Sequence, residues 1–250
     1  PVPLPYTRDE VWVFDDWRLA GNGEIDPQFV TRHDLAHDGR WGQVITVNGD
    51  AAHEVPVRPG ERLRLRLVNT SNGRVYRPDF SGLQAHVIAV DGMYTREPLD
   101  PSGYDLAPGN RLDLDIVVPA DGGGKVYPIE DGFSRGRRTL ATLRVEGEPM
   151  ETPRFDSPRN PKIPEWSGAA ARAVDVTYVL NARRGGPHGI EWTINGRAWG
   201  MHEPTELVGG NWVQIRFQND SARLHPMHIH GQFFKVIARN GEPVDEPFFR

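Results

Sequence analysis

The chain has 250 residues, a net charge of -5 at pH 7, 27 Gly, 22 Pro and no Cys. The acidic balance removes the electrostatic basis of a dedicated nucleic-acid binder. No apolar run reaches the roughly 18 residues of a membrane-spanning helix, and the absence of Cys excludes disulfides, zinc fingers, iron–sulfur clusters and a thiolate nucleophile within this chain. Gly and Pro together argue for short strands and many turns over a helical bundle. The sequence begins Pro-Val-Pro without Met, so it is expected to be processed, cleaved or an excerpt, and it carries no visible targeting segment.

The opening Pro1, Pro3 and Pro5 read as a linker. Glu10 to Phe14 reads as a strand. From Gly21 to Gly42 the pattern is weak and gives loops with one helical turn at most. Val44 to Val47 is a strand ending at the turn Asn48-Gly49. Leu63-Arg64-Leu65-Arg66-Leu67 alternates strictly, which predicts a half-buried strand with its arginines facing water. His86 to Val90 is a strand closed by Asp91-Gly92, and Leu112 to Val117 alternates again. Gly122-Gly123-Gly124 marks a loose turn, and Thr139 to Val145 closes the first unit. Pro149, Pro153, Pro158, Pro161 and Pro164 then fall at short spacing without apolar periodicity, which predicts an extended, moderately stiff interdomain linker from Glu148 to Trp166. Strands resume at Val174 to Val179, at Trp192 to Ile194 before Asn195-Gly196, and at Trp212 to Phe217.

The two halves repeat. Gly60 and Gly210 precede the alternating strands; Arg66 matches Arg216, Asn69 matches Asn219, and Asp91-Gly92 matches Asn240-Gly241. The period of roughly 150 residues is that of a duplicated β-sandwich. The predicted organisation is a first unit over 1–148, a Pro-rich linker over 149–172 and a second unit over 173–250. The second copy is shorter than the first, so an open edge is expected there unless further polypeptide covers it.

The strongest chemical signal is His225-Pro226-Met227-His228-Ile229-His230-Gly231, which gathers three of the nine histidines. Imidazole suits copper, zinc, iron and nickel. On extended backbone His228 and His230 share one face, with Ile229 on the other, and His225 has the opposite parity. The spacing therefore predicts two metal centres, one taking His225 and one taking His228 with His230. The alternatives are a surface cluster that holds no metal, or a single three-histidine site. The repeat supplies a control: aligning Val87-Ile88-Ala89 with Val236-Ile237-Ala238 sets Tyr76 opposite His225, Asp79 opposite His228 and Ser81 opposite His230. The scaffold does not need the histidines, and the first half is expected to bind no metal there.

His-Pro-Met-His-Ile-His-Gly before an aromatic-rich strand resembles the third-domain copper motif of the multicopper oxidases. Val47-Asn48-Gly49, Pro59-Gly60-Glu61-Arg62-Leu63-Arg64-Leu65-Arg66 and Ile88-Ala89-Val90-Asp91-Gly92 resemble the copper-free middle domain of the three-domain bacterial members. The resemblance implies an all-β chain of cupredoxin-like Greek-key β-sandwiches, one complete and one partial. It implies that His225 ligates a type 1 copper, His228 a type 2 copper and His230 one of a type 3 pair. The whole enzyme would be laccase-like. It would oxidise phenolic or related substrates one electron at a time, reduce dioxygen to water, and work in the periplasm or outside the cell. The family's paired His-x-His motifs and its closing His-Cys-His motif are absent here, so the chain alone is expected to be inactive. Its partners would be dioxygen, a small reducing substrate and the remaining segments of the same enzyme. A non-catalytic cupredoxin-like scaffold or binding module is the alternative.

Weaker signals carry less. His33 and His37, four apart, could bind metal on a helix, but with Asp34 and Asp38 they read as a capped polar loop. Arg135-Gly136-Arg137-Arg138 reads as a solvated hairpin tip. Asn69-Thr70-Ser71 and Asn219-Asp220-Ser221 match the glycosylation acceptor but sit at strand ends, and are set aside.

Overall fold

The computed structural model describes residues 4–134, 136–165 and 172–250. Pro1 and Pro3 of the opening, Arg135 of the basic loop and the Trp166 end of the Pro-rich segment lie outside the described residues. Strands dominate. In the first unit they are β1 (Arg8–Trp17), β2 (Val44–Val47), β3 (His53–Val57), β4 (Arg62–Asn69), β5 (Pro78–Asp79), β6 (Gln84–Val90), β7 (Met93–Leu99), β8 (Arg111–Val117), β9 (Val126–Asp131) and β10 (Thr139–Val145). One short helix, α1 (Arg32–Ala36), interrupts them. The second unit carries β11 (Val176–Arg184), β12 (Ile190–Ile194), β13 (Ile215–Asn219), β14 (Ala238–Arg239) and β15 (Glu242–Pro243).

A six-stranded sheet of order β2-β1-β4-β8-β6-β7 faces a four-stranded sheet of order β3-β10-β9-β5. Period-two alternation places Trp12 and Phe14 of β1, Leu63, Leu65 and Leu67 of β4, and Leu112, Leu114 and Ile116 of β8 in the space between them. Val55, Val57, Ile129, Leu143 and Val145 meet them from the smaller sheet. The chain is all-β, as expected, and the first unit is a cupredoxin-like sandwich.

Two of the three arginines of β4, Arg62 and Arg64, do not face water as expected. Arg62 is buried, and its guanidinium lies 3.6 Å from the ring centre of Phe155. Arg62 binds Asp115 through two nitrogens at 2.9 and 2.6 Å, and Arg64 binds Asp113. Only Arg66, paired with Asp9 at 2.5 Å, keeps an exposed side chain. Alternation separates the two faces of a strand, but it does not say what covers the second one.

The cover is the Pro-rich segment between the two units. It has no ladder of its own, yet it is pinned along its length. Met150 N donates to Pro59 O at 2.9 Å, Thr152 Oγ1 to Gly60 O at 2.8 Å, and Arg62 Nη1 to the carbonyls of Pro153 and Phe155 at 3.1 and 2.9 Å. Ser157 Oγ donates to Asp115 at 2.7 Å, Asn160 N to Thr95 O at 2.7 Å, and Ile163 is buried. Gly60 is required where this strap starts: its φ is +80°, and a Cβ there would lie 2.2 Å from Met150 O. The opening segment is also more than a linker, since Tyr6 packs edge-on to Phe155 with ring centres 4.8 Å apart.

The second unit copies the first in detail. β11 pairs with β12 antiparallel and β13 parallel, just as β1 pairs with β2 and β4. Asn48 and Asn195 close the two equivalent hairpins with φ of 52° and 51°, each followed by Gly at positive φ, the type I′ geometry. Asn48 Oδ1 accepts from Val13 N at 2.8 Å, and Asn195 Oδ1 from Val179 N at 2.8 Å. The β14–β15 hairpin, turning on Asn240-Gly241, reproduces the end of the β6–β7 hairpin. Among the described residues no strand matches β8, which bridges β4 to β6 in the first unit. The strand predicted over Trp212 to Phe217 forms only from Ile215, and its far edge has no strand neighbour. The chain end returns to the first sandwich, where Phe248 joins its core and Arg96 N donates to Pro247 O at 2.7 Å.

Candidate metal centre

His225 to His230 follow β13 and join no sheet. The alternation survives nonetheless. His225, Met227 and Ile229 are half-buried, and Pro226, His228 and His230 are exposed.

The three rings fall into two groups. His228 and His230 stand edge to face with ring centres 5.7 Å apart. Neither ring has a hydrogen-bond partner among the described residues. His225 points elsewhere. Its Nε2 lies 2.8 Å from Ser221 Oγ, and its ring meets the edge of Trp192 at 5.4 Å with planes 77° apart. Trp192 is fixed in turn by donating Nε1–H to the Leu35 carbonyl at 2.7 Å. His225 and Met227 line a cleft of about 540 Å³ between the two units, with Asp38, Asn72, Trp199 and His202 among its other walls. Among the described residues no three His, Cys, Asp or Glu side chains converge on one point.

The donor chemistry fits copper in part. Imidazole is an apt ligand. A blue-copper centre needs a second imidazole and a thiolate, and the chain has no Cys.

The equivalent positions of the first unit are built differently. Tyr76 is fully buried, stacks obliquely on Phe14 at 5.3 Å, and its hydroxyl lies 2.8 Å from Ser71 Oγ. Burial holds its phenol far above the ordinary range. Asp79 Oδ1 accepts from Ser81 N at 2.9 Å and closes a turn. Ser221 and Trp192 were not singled out by sequence reasoning. Ser221 sits in the triplet set aside as a glycosylation acceptor, and the matching Ser71 of the repeat was the signal available. His33 lies on α1 and His37 is its C-cap residue, with rings stacked at 4.0 Å and His37 Nδ1 2.9 Å from the His33 carbonyl. That helix starts in a capping box of Thr31 with Asp34, so Asp34 is committed to structure.

Two family models match the chain. Both are described as multicopper oxidase, one over residues 9–147 and the other over residues 172–248. The multicopper oxidase MmcO of Mycobacterium tuberculosis is 27% identical over 209 residues, covering 77% of this chain and 39% of that protein. The cell division protein FtsP of Proteus mirabilis is 28% identical over 260 residues, covering 97% of this chain and 51% of that protein. Among solved structures, the multi-copper oxidase of Pseudomonas parafulva superposes with a TM-score of 0.69 at 29% identity, covering 99% of this chain and 60% of the other. A laccase-like multi-copper oxidase of Ochrobactrum sp. superposes at 0.75 with 21% identity, over 99% of this chain and 58% of the other, which speaks for the fold. The chain thus spans between two fifths and three fifths of the length of these proteins.

Proposed function

The chain belongs to the multicopper oxidase family, and from that premise we propose that it serves a laccase-like enzyme with His225 at a type 1 copper, His228 at a type 2 copper and His230 at a type 3 pair. Family membership implies copper as the cofactor of the whole enzyme. When bound, copper supplies the redox chemistry: single electrons from a phenolic or related reductant enter, and dioxygen is reduced to water. The division of labour in this chain follows from its side chains. His225 faces inward, immobilised between Ser221 and Trp192, as a ligand that must not reorganise during electron transfer should be. His228 and His230 face outward, where further polypeptide can complete their centre. The first unit, with Tyr76 in place of His225, acts as scaffold and one wall of the cleft.

The separation of His225 from the His228–His230 pair is the observation that carries this reading. The remaining ligands, including the thiolate, would come from other segments of the same enzyme, in the periplasm or outside the cell. No helix among the described residues is long and apolar enough to cross a membrane. The test uses the full-length protein that contains this chain. His225→Ala should abolish the intense visible absorption of a thiolate-bound copper while leaving most of the other copper in place. His228→Ala and His230→Ala should do the reverse. Loss of both signals together in each single variant would refute the two-centre assignment.

The second reading is a copper-free scaffold. It is favoured by the FtsP relatives, named for cell division, whose similarity runs over nearly the whole chain. Metal analysis separates the two, since a scaffold purified with copper available should hold none.

A further inference from the structure

The turn between β13 and the histidine segment contains a bracket whose hydrogen bonds can be followed atom by atom. Asn219, at the end of β13, donates from Nδ2 to the Arg223 carbonyl at 2.7 Å. That bond orients the amide, so Oδ1 faces Ser221. Oδ1 accepts from Ser221 N at 3.0 Å and from Ser221 Oγ at 2.7 Å. A serine hydroxyl has one proton to give. Its other possible acceptors are the Arg223 carbonyl at 3.4 Å and His225 Nε2 at 2.8 Å, and Oγ already accepts from Arg223 N at 3.2 Å. Asn219 Oδ1, at 2.7 Å, is the nearest of the three. With the proton there, Oγ accepts from His225 Nε2–H, and a neutral imidazole then has its lone pair on Nδ1. In either tautomer Ser221 engages Nε2 and leaves Nδ1 as the open nitrogen.

The repeat makes the bracket an element of the fold. Asn69 Nδ2 donates to the Arg74 carbonyl at 2.8 Å, Ser71 N donates to Asn69 Oδ1 at 2.9 Å, and Ser71 Oγ meets the Tyr76 hydroxyl at 2.8 Å. The corner is the same, and the side chain at its far end differs. In the first unit it anchors a phenol that seals a dry core. In the second it anchors an imidazole lining a cleft.

We infer that Ser221, oriented by Asn219, is a positioning residue for His225, which holds the ring by Nε2–H and leaves Nδ1 as the nitrogen that takes a metal. This rests on the proposed reading of His225 as a ligand. An acceptor on the distal N–H fixes the tautomer and ring plane of a ligating histidine and raises its basicity. Trp192 limits rotation from the other side, so loss of Ser221 should free the tautomer more than the position.

The experiment uses the full-length protein with ¹⁵N-labelled histidine. In the metal-free form, at a pH where the ring is neutral, long-range ¹H–¹⁵N spectra should show His225 as the Nε2–H tautomer. Ser221→Ala should give a mixture of tautomers, and Ser221→Thr, which keeps the hydroxyl, should restore one. Copper titration should show affinity at the His225 centre falling about 10–100-fold in Ser221→Ala and not in Ser221→Thr. An Nδ1–H tautomer in the wild type, or wild-type tautomer and affinity in Ser221→Ala, would overturn the inference. If Ser221→Ala does not fold, the wild-type tautomer and Ser221→Thr still decide it. His225→Ala distinguishes the two levels. Full copper retention in that variant sinks the ligand reading itself, whereas copper loss there beside an unaffected Ser221→Ala sinks only the role of Ser221.

Discussion

Replacing Asp115 by Ala tests whether the Pro-rich strap seals the arginine face of β4. Asp115 is 3% exposed, and the Arg62 side chain is 11% exposed. The carboxylate receives Arg62 Nε at 2.9 Å, Arg62 Nη2 at 2.6 Å and Ser157 Oγ at 2.7 Å. The variant leaves a buried guanidinium with two carbonyls and an aromatic ring but no anion. Breaking a buried pair in this way costs about 3–5 kcal/mol, a large share of a total stability of about 5–15 kcal/mol. In thermal terms that is a fall of roughly 6–20 °C at about 2–4 °C per kcal/mol for chains of this size. Denaturant titration followed by tryptophan fluorescence measures it. The double variant Arg62→Met, Asp115→Leu removes both charges and should lose much less than Asp115→Ala alone. Asp9→Ala breaks the Arg66 pair, whose two side chains are each 42% exposed, and should cost no more than about 1 kcal/mol. If Asp115→Ala costs no more than Asp9→Ala, water reaches Arg62 and the strap is not a seal.

Acid should act through Asp34 and the first unit's core should depend on Tyr76. Hydrogen bonding to Arg18 holds the Asp34 carboxyl at about 2, below its usual 3.8. A depressed carboxylate contributes its stability above the unfolded pKa, here about 2 kcal/mol at about 1.4 kcal/mol per unit, and loses it as pH falls from near 4 toward 2. The stability gap between wild type and Asp34→Asn should thus be widest near neutrality and narrow over that window in urea titrations at several pH values. A gap that grows on acidification would reverse the sign of the argument. Tyr76→Phe strands the Ser71 hydroxyl, in a residue 4% exposed, and should cost about 1–3 kcal/mol. Bound copper should not change, and an unmoved denaturation midpoint would show that Ser71 finds another partner.

Which strands were readable depended on Pro and on coverage. β4 and β8 alternate because one side of each meets the core, and both were found. β3, β7 and β9 were missed, and each contains a Pro: Pro56, Pro98 and Pro128. Pro argues against a central strand because it donates nothing to a ladder. β3 and β7 evade the rule as sheet edges. β9 evades it differently: Pro128 stands opposite Thr142 of β10, while β5 on the other side reaches only Glu130 and Asp131. The packing of the strap was not legible for a related reason, since its contacts are backbone carbonyls and single aromatics, which leave no periodicity. Two of the site's partners were hidden in the same way. Trp192 was read only as part of a strand, and Ser221 only as part of a chance triplet.

The alternating exposure of the histidines follows their spacing, and the reason bears on function. In the first unit β8 lies between β4 and β6 and ties the two parts of the sheet together. The second unit has counterparts of β4 and of the β6–β7 turn, but none of β8 among the described residues. The first unit's counterpart of the histidine segment is Tyr76 to Ser81, whose β5 pairs with β9; among the described residues the second unit has no strand in the place of β9 either, and the histidine segment joins no sheet. His225, Met227 and Ile229 are half-buried, whereas His228 and His230 are exposed. Each group then depends on a different surface. His225 is oriented by its own unit, through Ser221 and Trp192, before any other polypeptide arrives. His228 and His230 have no such support within this chain, so on the proposed reading their geometry is set by whatever docks against them. Damage to Ser221 should accordingly be confined to the His225 centre, whereas damage to the docking surface should reach the His228–His230 centre first.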